Sequence, residues 1–127
     1  MLKNMIVITS LISVAFVATA KPSPYQEALT CKDDCPYTYE FIKTPQVKKT
    51  ITAAFKHSGI STPLWLFSGN SVTAPVEPSY EKKARVIKVF TCKPHNCDTD
   101  NLEGYYKPSN NSFVGVYTED GYEISVE

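Results

Sequence analysis

The stretch Tyr80-Glu81-Lys82-Lys83-Ala84-Arg85-Val86-Ile87-Lys88-Val89-Phe90-Thr91 runs without a break into Cys92-Lys93-Pro94-His95-Asn96-Cys97. Its second half is apolar and rich in β-branched residues, which predicts the longest strand of the chain over Tyr80 to Thr91. Two cysteines five positions apart then pinch a short loop and push its central residues outward. Pro94 fixes its own φ at about −65° and removes a backbone donor, so the tip has little conformational freedom left to lose on docking. His95, one of only two histidines, sits at that tip.

Outward from this point the pattern is that of more strands. Pro63 to Phe67 is a short apolar run closed by Ser68 and Gly69, with Trp65 expected in the core or covering the sheet. Val72 to Val76 is a second short strand, confined to an edge by Pro75 and Pro78. After the loop, Asn101 to Lys107 and Ser112 to Thr118 flank Pro108-Ser109-Asn110-Asn111, which predicts a hairpin. Asn110-Asn111-Ser112 also fits a glycosylation sequon, but asparagine is common in turns and is read here as turn chemistry. Glu119-Asp120-Gly121 marks another turn before a strand over Tyr122 to Val126.

One helix is expected. Thr44 suits the N-cap and Pro45 the first helical position. Val47, Ile51, Ala54 and Phe55 then form a stripe at helical spacing until Gly59 stops it. His57 lies near the C-terminal end, where an imidazole suits the helix dipole, and needs no catalytic explanation. The fold class expected is therefore α+β: an antiparallel β-sheet with one main amphipathic helix packed on it and a disulfide-closed protruding loop.

The first twenty residues predict an address. Lys3 precedes an uncharged, largely apolar run from Ile6 to Val17, and Ala18-Thr19-Ala20 offers a small-x-small cleavage site, so a signal peptide over 1–20 is expected, cut after Ala20. The run is shorter than the roughly 20 residues a spanning helix needs, so no membrane attachment is expected after cleavage. Removing it takes away Lys3 and no acid, leaving twelve basic against thirteen acidic side chains and a net charge of −1. No basic stripe survives to bind nucleic acid. Residues 21–43 predict an N-terminal extended segment with a tight turn at Cys31-Lys32-Asp33-Asp34-Cys35-Pro36, and 44–127 the main domain.

All four cysteines, Cys31, Cys35, Cys92 and Cys97, fall in the mature part, and an even number in an oxidising compartment predicts two disulfides, with three possible connectivities. Local pairing, Cys31 with Cys35 and Cys92 with Cys97, is the reading preferred. Closing a loop this short stabilises by only about 2 kcal/mol, so the second bridge serves loop shape more than global stability. A thiolate zinc site with His95 is the competing reading, and its Cys-x3-Cys and Cys-x4-Cys spacings fall outside the commonest knuckle. Neither a nucleophile elbow nor a metal-binding histidine pair is present, so no enzyme, cofactor or metal site is expected.

Phe90 to Cys97 resembles the signature of the inhibitor of vertebrate lysozyme (Ivy) family, Cys-Lys-Pro-His-Asp-Cys after an apolar strand, with five of the six signature positions matching. Ala53-Ala54-Phe55 in the helix, Pro63-Leu64-Trp65 after it and Gly115 in a later strand extend the likeness over roughly residues 40 to 120. The resemblance implies an exported, periplasmic protein of Gram-negative bacteria that protects peptidoglycan by inhibiting C-type lysozyme. The loop Cys92, Lys93, Pro94, His95, Asn96, Cys97 would then enter the active-site cleft. A retaining glycosidase keeps its two carboxyls about 5 Å apart, a span that a planar imidazole with a nitrogen on each side can bridge. The imidazolium would replace the positive charge of the oxocarbenium-like transition state. Lys93 would add attraction toward an acidic cleft, and a weakly acidic inhibitor suits an enzyme that is basic overall.

Two features depart from the family pattern. Asn96 stands where the pattern has Asp, exchanging an acceptor-only carboxylate for an amide. The chain also ends soon after its last strand, which leaves homodimerisation open. A peptidoglycan lytic transglycosylase is the alternative target, and a metal-binding or thiol-redox module the alternative class. The Cys31 and Cys35 pair lies outside the signature and is expected to staple the N-terminal segment.

Overall fold

The computed structural model describes residues 21–69 and 71–127. The expected signal peptide over 1–20 lies outside the described residues. Three helices, α1 (Pro24–Thr30), α2 (Thr38–Ile42) and α3 (Pro45–His57), precede six strands, β1 (Val72–Thr73), β2 (Glu77–Glu81), β3 (Ala84–Cys92), β4 (Asn101–Lys107), β5 (Ser112–Glu119) and β6 (Tyr122–Val126). All strand pairs are antiparallel, in the order β1-β3-β4-β5-β6, with β2 pairing on the same side of β3 as β1. The fold is mixed α+β with two disulfides, Cys31–Cys35 and Cys92–Cys97.

The sheet buries one face because its side chains alternate. Ile87 lies opposite Tyr106, and Tyr106 opposite Phe113; Thr91 aligns with Leu102, then Tyr117, then Ile124. Between these rows Val89, Gly104, Gly115 and Val126 are in register. All three helices meet this face. Phe55 of α3 packs edge-on to Tyr117 with ring centroids 5.1 Å apart, and Phe41 of α2 packs edge-on to Tyr106 at 5.6 Å. Burial raises the Tyr106 hydroxyl above the ordinary tyrosine range, helped by the Tyr25 hydroxyl of α1. The opposite face carries Lys88 between Glu103, at 3.1 Å, and Glu77, at 3.8 Å. Glu103 above all, then Glu77, raises the Lys88 ammonium pKa.

The structure corrects five expectations. Residues 21–43 are not extended: Ser23 and Gln26 form a reciprocal capping box with Pro24 in the first turn of α1, and Ala28, Phe41 and Ile42 are wholly buried. The guanidinium of Arg85 donates to the carbonyls of Ala28 at 3.0 Å and Cys31 at 2.8 Å, tying the end of α1 and its disulfide to β3. Three helices therefore stand where one was expected.

Pro63 to Phe67 is a turn and not a strand. The Leu66 amide donates to the Pro63 carbonyl at 3.2 Å, so Leu66 is buried while Leu64 is left 97% exposed. Trp65 is half-buried against the core. The long strand expected from Tyr80 is a hairpin, broken at Lys82 (φ +48°) and Lys83 (φ +69°) into β2 and β3. Both residues adopt the left-handed conformation that a two-residue type I′ turn demands, without the usual Asn or Gly. In the Val72 to Val76 segment only Val72–Thr73 is a strand, and Pro75 forms an isolated bridge with Tyr37.

Helix α3 begins at Pro45 and buries Val47, Ile51, Ala54 and Phe55. Thr44 occupies the N-cap position, yet its hydroxyl donates to the Phe41 carbonyl at 2.6 Å and caps nothing. Gly59 at φ +75° ends the helix, with the Ile60 amide donating back to Phe55 at 3.1 Å as in a Schellman motif.

Candidate functional site

β3 delivers Cys92 to one end of the sheet, where it is fully buried opposite Asn101 of β4 and Val72 of β1. Between Cys92 and Asn101 the chain makes two turns. In the first, the Asn96 amide donates to the Lys93 carbonyl at 3.1 Å. Pro94 holds the second position of this turn and His95 the third, at φ +67°. That is the φ pattern of a type II turn, in which the third position normally belongs to glycine. A histidine held there carries steric cost, and such cost persists only where the surroundings overdetermine the backbone.

The second turn supplies those surroundings. The Asp100 amide donates to the Asn96 carbonyl at 2.9 Å, and the Lys93 amide donates to the Asp100 carbonyl at 2.9 Å. The Asn101 side-chain amide donates to the Cys97 carbonyl at 2.8 Å. With the Cys92–Cys97 disulfide, these bonds close the loop on itself at its base. The β5–β6 turn braces it from the side, with the Gly121 amide donating to the Thr99 carbonyl at 3.0 Å.

The resulting loop presents Lys93, His95 and Asn96 to solvent, with Pro94 and Cys97 half-buried beneath them. All six residues of Cys92 to Cys97 are thus brought together, the two cysteines as the staple and the rest as the surface. Both imidazole nitrogens of an exposed histidine are free to donate or accept, and Lys93 adds three donors beside it. The loop can therefore meet a pair of acceptors or a concave acidic surface.

Other residues singled out by the sequence stand apart. His57 closes α3 and lines a separate groove with Lys49, Phe113 and Glu127. Asn110 and Asn111 lie in the β4–β5 turn, where Ser112 donates to the Asn110 side chain at 2.7 Å and Tyr106 to that of Asn111. All four cysteines are paired in disulfides, and no group of three or more His, Cys, Asp or Glu side chains placed to hold a metal ion occurs among the described residues. No helix among them is long and apolar enough to cross a membrane.

Sequence reasoning missed the base of the loop. Thr99, Asp100 and Asn101 are short polar residues of the kind that bond to nearby backbone, and their run between Cys97 and the next strand was the available signal. Compared with known proteins, the chain matches no family model and no curated protein.

Proposed function

We propose that the mature chain is a periplasmic inhibitor of C-type lysozyme of the Ivy type, whose Cys92–Cys97 loop plugs the active-site cleft of the enzyme. In this reading the domain over 44–127 is a sheet carrying α3 as its main amphipathic helix, and the loop protrudes from the end of that sheet. One observation carries it: His95 is exposed at the apex of a disulfide-closed turn, in a backbone conformation that histidine adopts only at a cost.

The chemistry follows from the side chain. A cleft with two carboxyls about 5 Å apart accepts an imidazole between them, and the two acids favour its protonated, doubly donating form. The cation then occupies the place of the oxocarbenium-like charge. Pro94 and the disulfide remove most of the freedom the loop would otherwise lose on docking, so more of the contact energy remains as affinity. Asn96 replaces the acid of the family pattern with an exposed amide, which removes a negative charge next to His95.

The test is the affinity of the His95→Ala variant for a C-type lysozyme. A central contact costs at least about 2 kcal/mol when truncated. A loss below roughly 0.5 kcal/mol, the scale of an ordinary surface substitution, removes His95 from the mechanism.

A further inference from the structure

The geometry points to Asp100 as the positioning residue of the inhibitory loop, a role that rests on the reading above and that the family-like signature does not include. Asp100 is 7% exposed and lies directly beneath the turn. Its backbone bonds to both limbs of the loop, to Asn96 through its amide and to Lys93 through its carbonyl, each at 2.9 Å. Its carboxylate reaches outward in two further directions. One oxygen accepts from the Thr99 hydroxyl at 2.8 Å, and the other from the Asp120 amide in the β5–β6 turn at 3.4 Å.

A buried carboxylate is an expensive way to make these bonds. Among the described residues no cation pairs with it, and the turn whose Asp120 amide it accepts from carries further acids, Glu119 and Asp120. Backbone pairing closes the base of the loop, and the Gly121 amide already links it to the β5–β6 turn through the Thr99 carbonyl. What the carboxylate adds is a second tie between these two turns, the one that follows the disulfide loop and the one that joins β5 to β6, and a bond to the Thr99 hydroxyl within the first. Acceptor-only oxygens on a short stem can serve a hydroxyl and an amide at once, and a neutral amide side chain has only one such oxygen. Fastening the two turns holds the backbone that carries His95, so the loop meets its partner already shaped and leaves it slowly.

The experiment compares the full mature protein with Asp100→Ala, Asp100→Asn and Thr99→Val, using association and dissociation rates with a C-type lysozyme together with amide hydrogen exchange at Asn96, Thr99 and Gly121. Val126→Ala, a core truncation at the end of β6 away from the β5–β6 turn, serves as a control for general destabilisation. Asp100→Ala is expected to speed dissociation by about tenfold or more, with association changed far less. Asp100→Asn, which keeps one acceptor, should fall between it and the wild type, and exchange at the three amides should rise in the same order. Thr99→Val removes one of the two side-chain bonds from the exposed side and keeps the inference testable if Asp100→Ala fails to fold. Unchanged exchange in the variants overturns the positioning role, as does a dissociation rate no faster than that of Val126→Ala. Absence of binding by the wild type would overturn the lysozyme reading instead, and the exchange order alone would then decide whether Asp100 shapes the loop.

Discussion

The amide of Asn96 donates to the carbonyl of Lys93 at 3.1 Å, and closing that turn through Pro94 leaves His95 at φ +67°. Only glycine occupies this region freely; a side chain there costs about 1 kcal/mol. His95→Gly should therefore leave thermal stability unchanged or raise it by up to about 1 kcal/mol, glycine's extra unfolded-state entropy offsetting part of the relief. The same change should abolish inhibition. A variant that is both less stable and still inhibitory would contradict the idea that the strain is retained for function.

The same left-handed geometry occurs where no partner is expected, at Lys82 and Lys83 in the β2–β3 turn. Replacing them with Asn-Gly, the pair best suited to a type I′ turn, should stabilise the protein by roughly 1 kcal/mol in denaturant titration. Lysozyme inhibition should not change. A loss of stability would mean that the turn is not type I′ in solution.

Gly104 and Gly115 face each other across β4 and β5 with the Phe113 ring over both. A Cβ on Gly104 would lie 2.5 Å from Phe113 Cζ and 2.7 Å from the Val114 carbonyl oxygen, and the backbone atom cannot move aside. Gly104→Ala should destabilise by at least about 2 kcal/mol, as overpacking of a filled core does. Gly121→Ala meets no neighbour but sits at φ +82°, so its smaller cost comes from backbone strain alone.

Burial first, and then the negative Glu119, Asp100 and Asp120, push the Tyr117 hydroxyl up to about 12. A group whose folded pKa lies above its unfolded value contributes stability that is whole below the unfolded pKa, about 10 for tyrosine, and is lost as pH rises through the folded one. Stability should therefore fall between about pH 10 and pH 12. Tyr117→Phe should flatten that decline, and a decline of equal steepness in the variant would assign it to other groups.

How much of this could be read from the chain depends on how local the signal is. α3 was legible because Thr44-Pro45, a helical stripe and Gly59 mark its start, face and end. The hairpins of β4, β5 and β6 were legible from turn residues of the right type at Asn111, Asp120 and Gly121. The β2–β3 hairpin was not, because two lysines carry no turn signal. The run Pro63 to Phe67 misled because a short apolar stretch has no period of its own, and burial of Leu66 alone satisfies it. α1 carried its cap, Ser23 and Gln26, in plain view, but its seven residues bury only Ala28 and are held by Arg85 from far along the chain. The loop was legible as a motif, while the network beneath it was not, since Asp100 gains its meaning only when the β5–β6 turn is folded beside it.

The central claim is tested most directly by titrating a C-type lysozyme acting on cell-wall substrate with the oxidised chain from Lys21 to Glu127, the form proposed to follow signal cleavage, and in parallel with its His95→Ala variant. Stoichiometric inhibition that disappears with His95 is the result expected. No inhibition by folded, disulfide-intact protein would contradict the account and make lytic transglycosylases the next target to assay.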